Sequence, residues 1–219
     1  MTVKVIVFDF DGTLADTYET FVEIANSLSG EFGYKPINLE EQQKLKHLSA
    51  RDIIKQSEIP PLKIPFILRR VKSELNNKIH HLKPISNIPS SLKQLKERGY
   101  LLGIITSNIQ ENVKDFLDNN GLTNLFDFVY SGTALFGKDK VINKLLKERK
   151  LRNTEVIYVG DETRDIQSAK KSQVSVIAVA WGFNSPEILA EYQPDFLIYH
   201  PEELIEVIEN CQESFTQVL

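Results

Sequence analysis

A single cysteine, Cys211, is all the thiol this 219-residue chain carries. One thiol cannot close an intramolecular disulfide or build a thiolate metal cage, so Cys211 is read as a small, partly buried apolar residue. Long hydrophobic runs are missing too. No stretch approaches the ~18 consecutive apolar residues of a membrane-spanning helix, and the opening MTVKVIVFDF has no basic segment ahead of a long apolar run. Positive charge is not in excess either. The 26 Lys and Arg against 30 Asp and Glu give a formal net charge of −4, with no dominant basic block, which argues against a nucleic-acid partner. What is present is 42% hydrophobic and 26% charged, enough apolar material for a folded core. The expectation is a cytoplasmic protein without membrane or nucleic-acid partners, a monomer or weak homodimer, built as one large domain or as a core with an accessory domain.

Short apolar runs rich in branched residues recur at 3–10, 100–108, 126–131, 155–161, 174–180 and 195–200. Several lack polar alternation, as strands buried on both faces do. Helical patterns lie between them. Leu92 and Leu95 share a face ahead of the stop Gly99; Val141, Ile142, Leu145 and Leu146 recur at helical spacing; and Pro201 opens a helix with Glu202 and Glu203 in its first turn. Strand alternating with helix predicts an α/β fold, a parallel sheet covered on both sides. The stretch 16–83 breaks the rhythm, with helical segments only and no convincing strand. It is too long for a crossover loop, so it is expected to form a separate all-helical cap over the sheet's C-terminal edge. That leaves 1–15 and 84–219 for the core. The final ESFTQVL is expected to fray or dock lightly.

In such sheets ligands bind beyond the carboxyl ends of the strands. The first strand delivers Asp9 and Asp11 there, followed by Gly12; the second delivers Thr106, Ser107 and Asn108; the fourth delivers Asp161, with Asp165 one turn on. The segment FGKDK after the third strand adds Lys138 and Lys140, either of which can serve as the cation. Carboxylates crowded together need a counter-ion. Hard oxygen donors without His or Cys specify Mg²⁺ with retained waters, which leaves positions for phosphate oxygens. Gly12 permits close backbone approach, and the lysine and Thr106 can bind the remaining phosphate oxygens.

DFDGTL, the strand ending IITSN, the lysine of FGKDK and VGDETRD resemble, in order and separation, the four motifs of the haloacid dehalogenase-like hydrolase superfamily. The resemblance spans essentially the whole chain, and its end, AVAWGFNSPEILAEYQPDFLIYHPEEL, is similar to that of phosphoglycolate phosphatase-like members. It implies a Rossmann-like core with an inserted helical cap, and a Mg²⁺-dependent phosphatase working through an aspartyl phosphate. By that resemblance Asp9 is the nucleophile and Asp11 the general acid and base. Asp9, Asp161 and the backbone carbonyl of Asp11 hold Mg²⁺, and Asp165 is a ligand or a brace. Thr106 and Lys138 steady the phosphoryl group, with Gly12, Ser107 and Asn108 beside it. A small phosphate monoester is the implied substrate, 2-phosphoglycolate first. One departure is that KPISNIPSSL, where the chain re-enters the core, lacks the glycine relatives commonly carry before that helix.

Asp11 argues against dehalogenase and phosphonate hydrolase activity, which do not call for an acid at that position. A sugar-phosphate phosphomutase would keep both aspartates and stands as the alternative. A phosphate-responsive signalling or binding module would not need the D-x-D-G-T spacing or the long insertion. Elsewhere, adjacent His80 and His81 diverge on a helix and do not suggest a metal site. Trp181 and Phe183 are expected to pack a loop near the site, and ILRRVKSE to form a solvated helix face. Ser49 is expected to cap a helix of the insertion, which places Lys46, His47 and Arg51 near a loop facing the crevice; Lys46 and Arg51 are the expected contacts to a leaving group.

Overall fold

All six apolar runs become strands: β1 (Val5–Phe8), β2 (Leu101–Ile105), β3 (Phe128–Tyr130), β4 (Val156–Gly160), β5 (Ser175–Val179) and β6 (Phe196–Ile198). The structure is a computed structural model that describes residues 3–57, 59–132 and 137–216. Every strand pair is parallel and the order is β3-β2-β1-β4-β5-β6. The chain winds outward from β1 to β3, then returns to the other side of β1 as β4. The crevice where ligands bind in such sheets therefore opens between the ends of β1 and β4.

Successive strand residues face opposite layers. Ile6, Phe8, Leu102, Ile104, Ile157 and Val159 enter one buried cluster, while Val5, Val7, Ile105, Val156 and Tyr158 enter the other. Helices α5 (Ile88–Glu97), α6 (Gln110–Asn119), α7 (Lys138–Glu148), α8 (Thr163–Lys171), α9 (Pro186–Glu191) and α10 (Glu203–Thr216) cover these faces. The last of these begins at Glu203, one residue later than Glu202 in its first turn would require. The Glu203 carboxylate accepts the N–H groups of Tyr199 and His200 at 2.9 and 2.7 Å and fixes the start there. This helix carries ESFTQVL through residue 216; positions 217–219 of that segment lie outside the described residues.

Between β1 and α5 the described residues hold α1 (Tyr18–Phe32), α2 (Leu39–Lys46), α3 (Ala50–Gln56), α4 (Ile64–Lys78) and a short 3-10 turn at Ile79–His81. Their starts are encoded locally. Asn38 and Glu41 form a reciprocal cap on α2, and the Ser49 hydroxyl accepts the Asp52 N–H on α3. Ile24 and Leu28 of α1 meet Val71 and Leu75 of α4 in an apolar seam that continues through Ile79 and Leu82 into the first sheet cluster. Where the chain re-enters the core, Asn87 takes φ 66° immediately before α5. Asparagine tolerates this left-handed conformation better than other residues with a Cβ, and so does the work of the missing glycine.

Candidate active site

Each strand end contributes one piece. Asp9 follows β1 and is 2% exposed; its Oδ1 accepts the Phe10 N–H at 2.7 Å. Asp161 follows β4, and Asp165 lies in the first turn of α8; both are fully buried. One oxygen from each of Asp9, Asp161 and Asp165 falls within 4.8 Å of the others. Lys138, the first residue of α7, reaches between them, with Nζ 2.7 Å from Asp9 Oδ2 and 2.6 Å from Asp165 Oδ1. Lys140 is exposed on the same helix, so Lys138 is the lysine at the carboxylates. Phe136, in the segment that leads to it, lies outside the described residues.

Surroundings set these acids apart. Asp161 Oδ1 accepts the Thr13 hydroxyl at 2.6 Å, and its Oδ2 accepts the Phe183 N–H at 2.8 Å. Asp165 accepts Lys138 on one oxygen and the Glu162 N–H, at 3.1 Å, on the other. Asp9 Oδ2 faces the Lys138 ammonium at 2.7 Å as its ionic partner. Burial, opposed by Lys138, pushes the Asp9 carboxyl up to about 7, and burial with Glu162, Asp9 and Asp165 nearby holds Asp161 well above the ordinary range. Burial works against the charge of Lys138, yet Asp165 and Asp9 outweigh it and keep the ammonium protonated.

Were all three carboxylates ionised, one ammonium would leave two negative charges uncompensated, which is why Asp9 and Asp161 hold protons more tightly than usual. Each buried ion costs several kcal/mol to desolvate, so this imbalance calls for a divalent cation. The donor set is all oxygen, with no His or Cys among the clustered groups. These residues fit a hard divalent ion.

Asp11, two residues after Asp9, is 8% exposed and is held from the β2 end. Burial raises its carboxyl to about 6, while the Asn108 amide, 3.1 Å from both oxygens, works in the opposite direction. Asn108 is itself fixed, its Oδ1 accepting from the Ile109 N–H and the Asn112 amide at 2.9 Å each. Thr106 is fully buried, and its hydroxyl oxygen accepts the Asn108 N–H at 3.0 Å. Ser107 presents its carbonyl to Lys72 of α4, whose Nζ donates to it at 2.5 Å. The expectation that ILRRVKSE is wholly a solvated face therefore does not hold at Lys72.

Two glycines make room for the acids. Gly12 has φ 77°, and a Cβ there would lie 2.4 Å from Asp161 Oδ2 and 2.5 Å from the Phe183 ring. A Cβ on Gly182 would lie 2.2 Å from Asp161 Oδ2 and 2.3 Å from Asp161 Cβ. Gly182→Ala must displace Asp161, and is expected to raise the cation concentration needed for half-maximal activity by about 10- to 100-fold. A metal titration of the variant checks this; an unchanged midpoint would show that Asp161 does not hold the cation.

The loop containing Gly182 also joins the insertion to the core. Trp181 donates its indole N–H to the Thr13 carbonyl at 3.2 Å, and Phe183 packs edge-on against Tyr18 and Phe21 of α1, 5.4 Å between centroids in each case. Asn184 accepts the Thr163 N–H at 2.9 Å and donates to the carbonyls of Leu48 and Lys46 at 3.0 and 3.3 Å. Ser185 adds its N–H to Lys46 O at 2.8 Å and shares a hydrogen bond with His47 Nδ1 at 2.9 Å. The Lys46 ammonium lies 4.2 Å over the Tyr18 ring, and Arg51 is exposed. His80 and His81 are exposed, and His80 pairs with Asn119 rather than with another ligand-bearing side chain. No helix among the described residues is long and apolar enough to cross a membrane.

The family model described as haloacid dehalogenase-like hydrolase matches residues 6–179. The phosphoglycolate phosphatase of Synechococcus elongatus is 35% identical over 205 residues, covering 94% of this chain and 97% of that protein. The phosphoglycolate phosphatase of Vibrio cholerae is 26% identical, again over 94% and 97%. Among solved structures, a predicted phosphatase from Clostridium acetobutylicum superposes with a TM-score of 0.83 at 22% identity, over 96% of this chain and all of that one. The family match covers the strand ends that carry Asp9, Asp11, Lys138, Asp161 and Asp165, and the Synechococcus relative runs nearly end to end with the chain. By both measures the chain belongs to the haloacid dehalogenase-like hydrolase family.

Proposed function

We propose that this hydrolase is a Mg²⁺-dependent phosphatase of a small phosphate monoester, with 2-phosphoglycolate as its substrate. The observation that carries the reading is the buried Asp9 carboxylate, paired with Lys138 and grouped with two further carboxylates. The relatives support the substrate, since two aligned over 94% of the chain are phosphoglycolate phosphatases.

In this reading one oxygen of the Asp9 carboxylate attacks phosphorus and the bond to the leaving oxygen breaks, giving an aspartyl phosphate. Asp11 donates its proton to that oxygen; its raised carboxyl suits a proton donor near neutrality. Asp11, now a carboxylate, takes a proton from water, which attacks the phosphoryl group and restores the Asp9 carboxylate with release of phosphate. Asp9, Asp161 and the Asp11 carbonyl, with Asp165 as ligand or brace, would hold Mg²⁺, which would supply charge neutralisation for the phosphate dianion. Lys138 and Thr106, with the backbone beside it, bind the other phosphoryl oxygens. Residues 16–83 act as the cap that excludes water, and 1–15 with 84–219 as the catalytic core.

A panel of phosphate monoesters assayed for phosphate release tests this. Activity is expected only with Mg²⁺, lost in EDTA and regained on adding the ion, with 2-phosphoglycolate preferred. Full activity in metal-free buffer would sink the mechanism. Conversion of a sugar phosphate into its isomer without release would favour a phosphomutase.

A further inference from the structure

One stripe of helix α4 borders a groove beside its buried residues Val71 and Leu75. Leu68, Arg69, Lys72 and Asn76 line a groove of about 550 Å³ whose opposite wall includes Ile109, one residue past Asn108. Lys72 crosses from this stripe to the core and donates to the carbonyl of Ser107. Asn108, next in the chain, holds both oxygens of Asp11. Lys72 is half-buried, and among the described residues it makes no ion pair. The charges that act on it are Asp11, which attracts it, and Arg164, which repels it.

A half-buried ammonium with one carbonyl partner retains two N–H donors. Its place in the crevice says what those donors meet. Asp11 protonates the leaving oxygen, so the leaving group must lie on Asp11's side of the phosphate, away from Lys138 and the three clustered carboxylates. Lys72 approaches from that side. The other cations expected there are less well disposed, since Lys46 rests on Tyr18 while its backbone is fastened to Asn184 and Ser185, and Arg51 is exposed. We propose that Lys72 is the specificity-determining residue that binds a carboxylate on the leaving group, an inference that rests on the phosphatase reading above. The phosphate end of the substrate is then neutralised from the core and the carboxylate end from α4.

Ethyl phosphate is 2-phosphoglycolate with a methyl group in place of the carboxylate, so the ratio of kcat/KM for the two esters isolates carboxylate recognition. The wild-type enzyme is expected to prefer phosphoglycolate. Lys72→Met is expected to lower that ratio by about 10- to 100-fold, chiefly through KM, as for a lost charged hydrogen bond. Lys72→Arg is expected to keep most of the preference. Should the methionine variant not fold, Lys72→Gln, which keeps a polar donor on α4 without the charge, gives the same measurement. A strong wild-type preference that survives loss of the ammonium would overturn the role of Lys72 and leave the substrate reading intact. A wild-type enzyme that hydrolyses both esters equally would overturn the carboxylate-bearing substrate and Lys72 recognition together, leaving only the core phosphatase chemistry.

Discussion

Asparagine at position 9 is expected to reduce turnover by ~10⁴-fold or more, because the amide cannot attack phosphorus. The change is nearly isosteric, and the oxygen that accepts the Phe10 N–H at 2.7 Å can remain in place. The folded core should therefore survive, as a thermal melt would show. Its two halves of chemistry should also separate from those of position 11. Asp11→Asn leaves the nucleophile able to attack while slowing departure of the alcohol and hydrolysis of the aspartyl phosphate, so labelled phosphate should be trapped on Asp11→Asn protein and never on Asp9→Asn protein. An Asp9→Asn enzyme with near-normal turnover would contradict the assignment outright.

The second large effect concerns Lys138. The ammonium is 1% exposed and lies within 2.7 Å of Asp9 and 2.6 Å of Asp165. Removing one partner from a buried ionic cluster costs ~3–5 kcal/mol, since the remaining charges lose their compensation. Lys138→Met is expected to show about that deficit in urea unfolding in EDTA. The deficit should shrink in Mg²⁺, because carboxylates that have lost the Lys138 charge bind the cation more tightly and so gain more mass-action stabilisation than those of the wild type. Activity should fall by ~10²–10³-fold or more even in saturating metal, as when a donor to the transition state is lost. Equal stability of variant and wild type in EDTA would mean that the three carboxylates are not charged together.

Much of this architecture can be read in the chain because its signals are local. Buried parallel strands announce themselves as short branched apolar runs, and every one of the six falls within its expected stretch. The strand-end acids follow from where those runs stop. Lys138 and Lys140 could not be separated by motif alone. Two helical positions point ~200° apart, so only one of them can face the crevice, and the orientation of α7 decides which. Lys72 was hidden for a different reason. In ILRRVKSE the basic residues look like one exposed face, whereas Val71 and Leu75 bury the adjacent stripe and bring Lys72 to the seam with the core. The clasp between Asn184 and the 46–48 loop joins residues 136 and 138 positions apart, and no pattern within either segment points to the other. Asn108 illustrates the same limit. Its amide holds both oxygens of Asp11, 97 residues away, and no local pattern announces that contact.

The hydrogen bond from Trp181 to the Thr13 carbonyl gives the protein an optical property. Trp181 is its single tryptophan, and Thr13 donates its hydroxyl to Asp161. The sole indole emitter is thus two hydrogen bonds from a carboxylate of the acidic cluster, with its own N–H engaged in the first of them. A change in charge at Asp161 alters the field along that path, so the intrinsic emission can follow cation occupancy without dye, label or turnover, even in variants too inactive to assay.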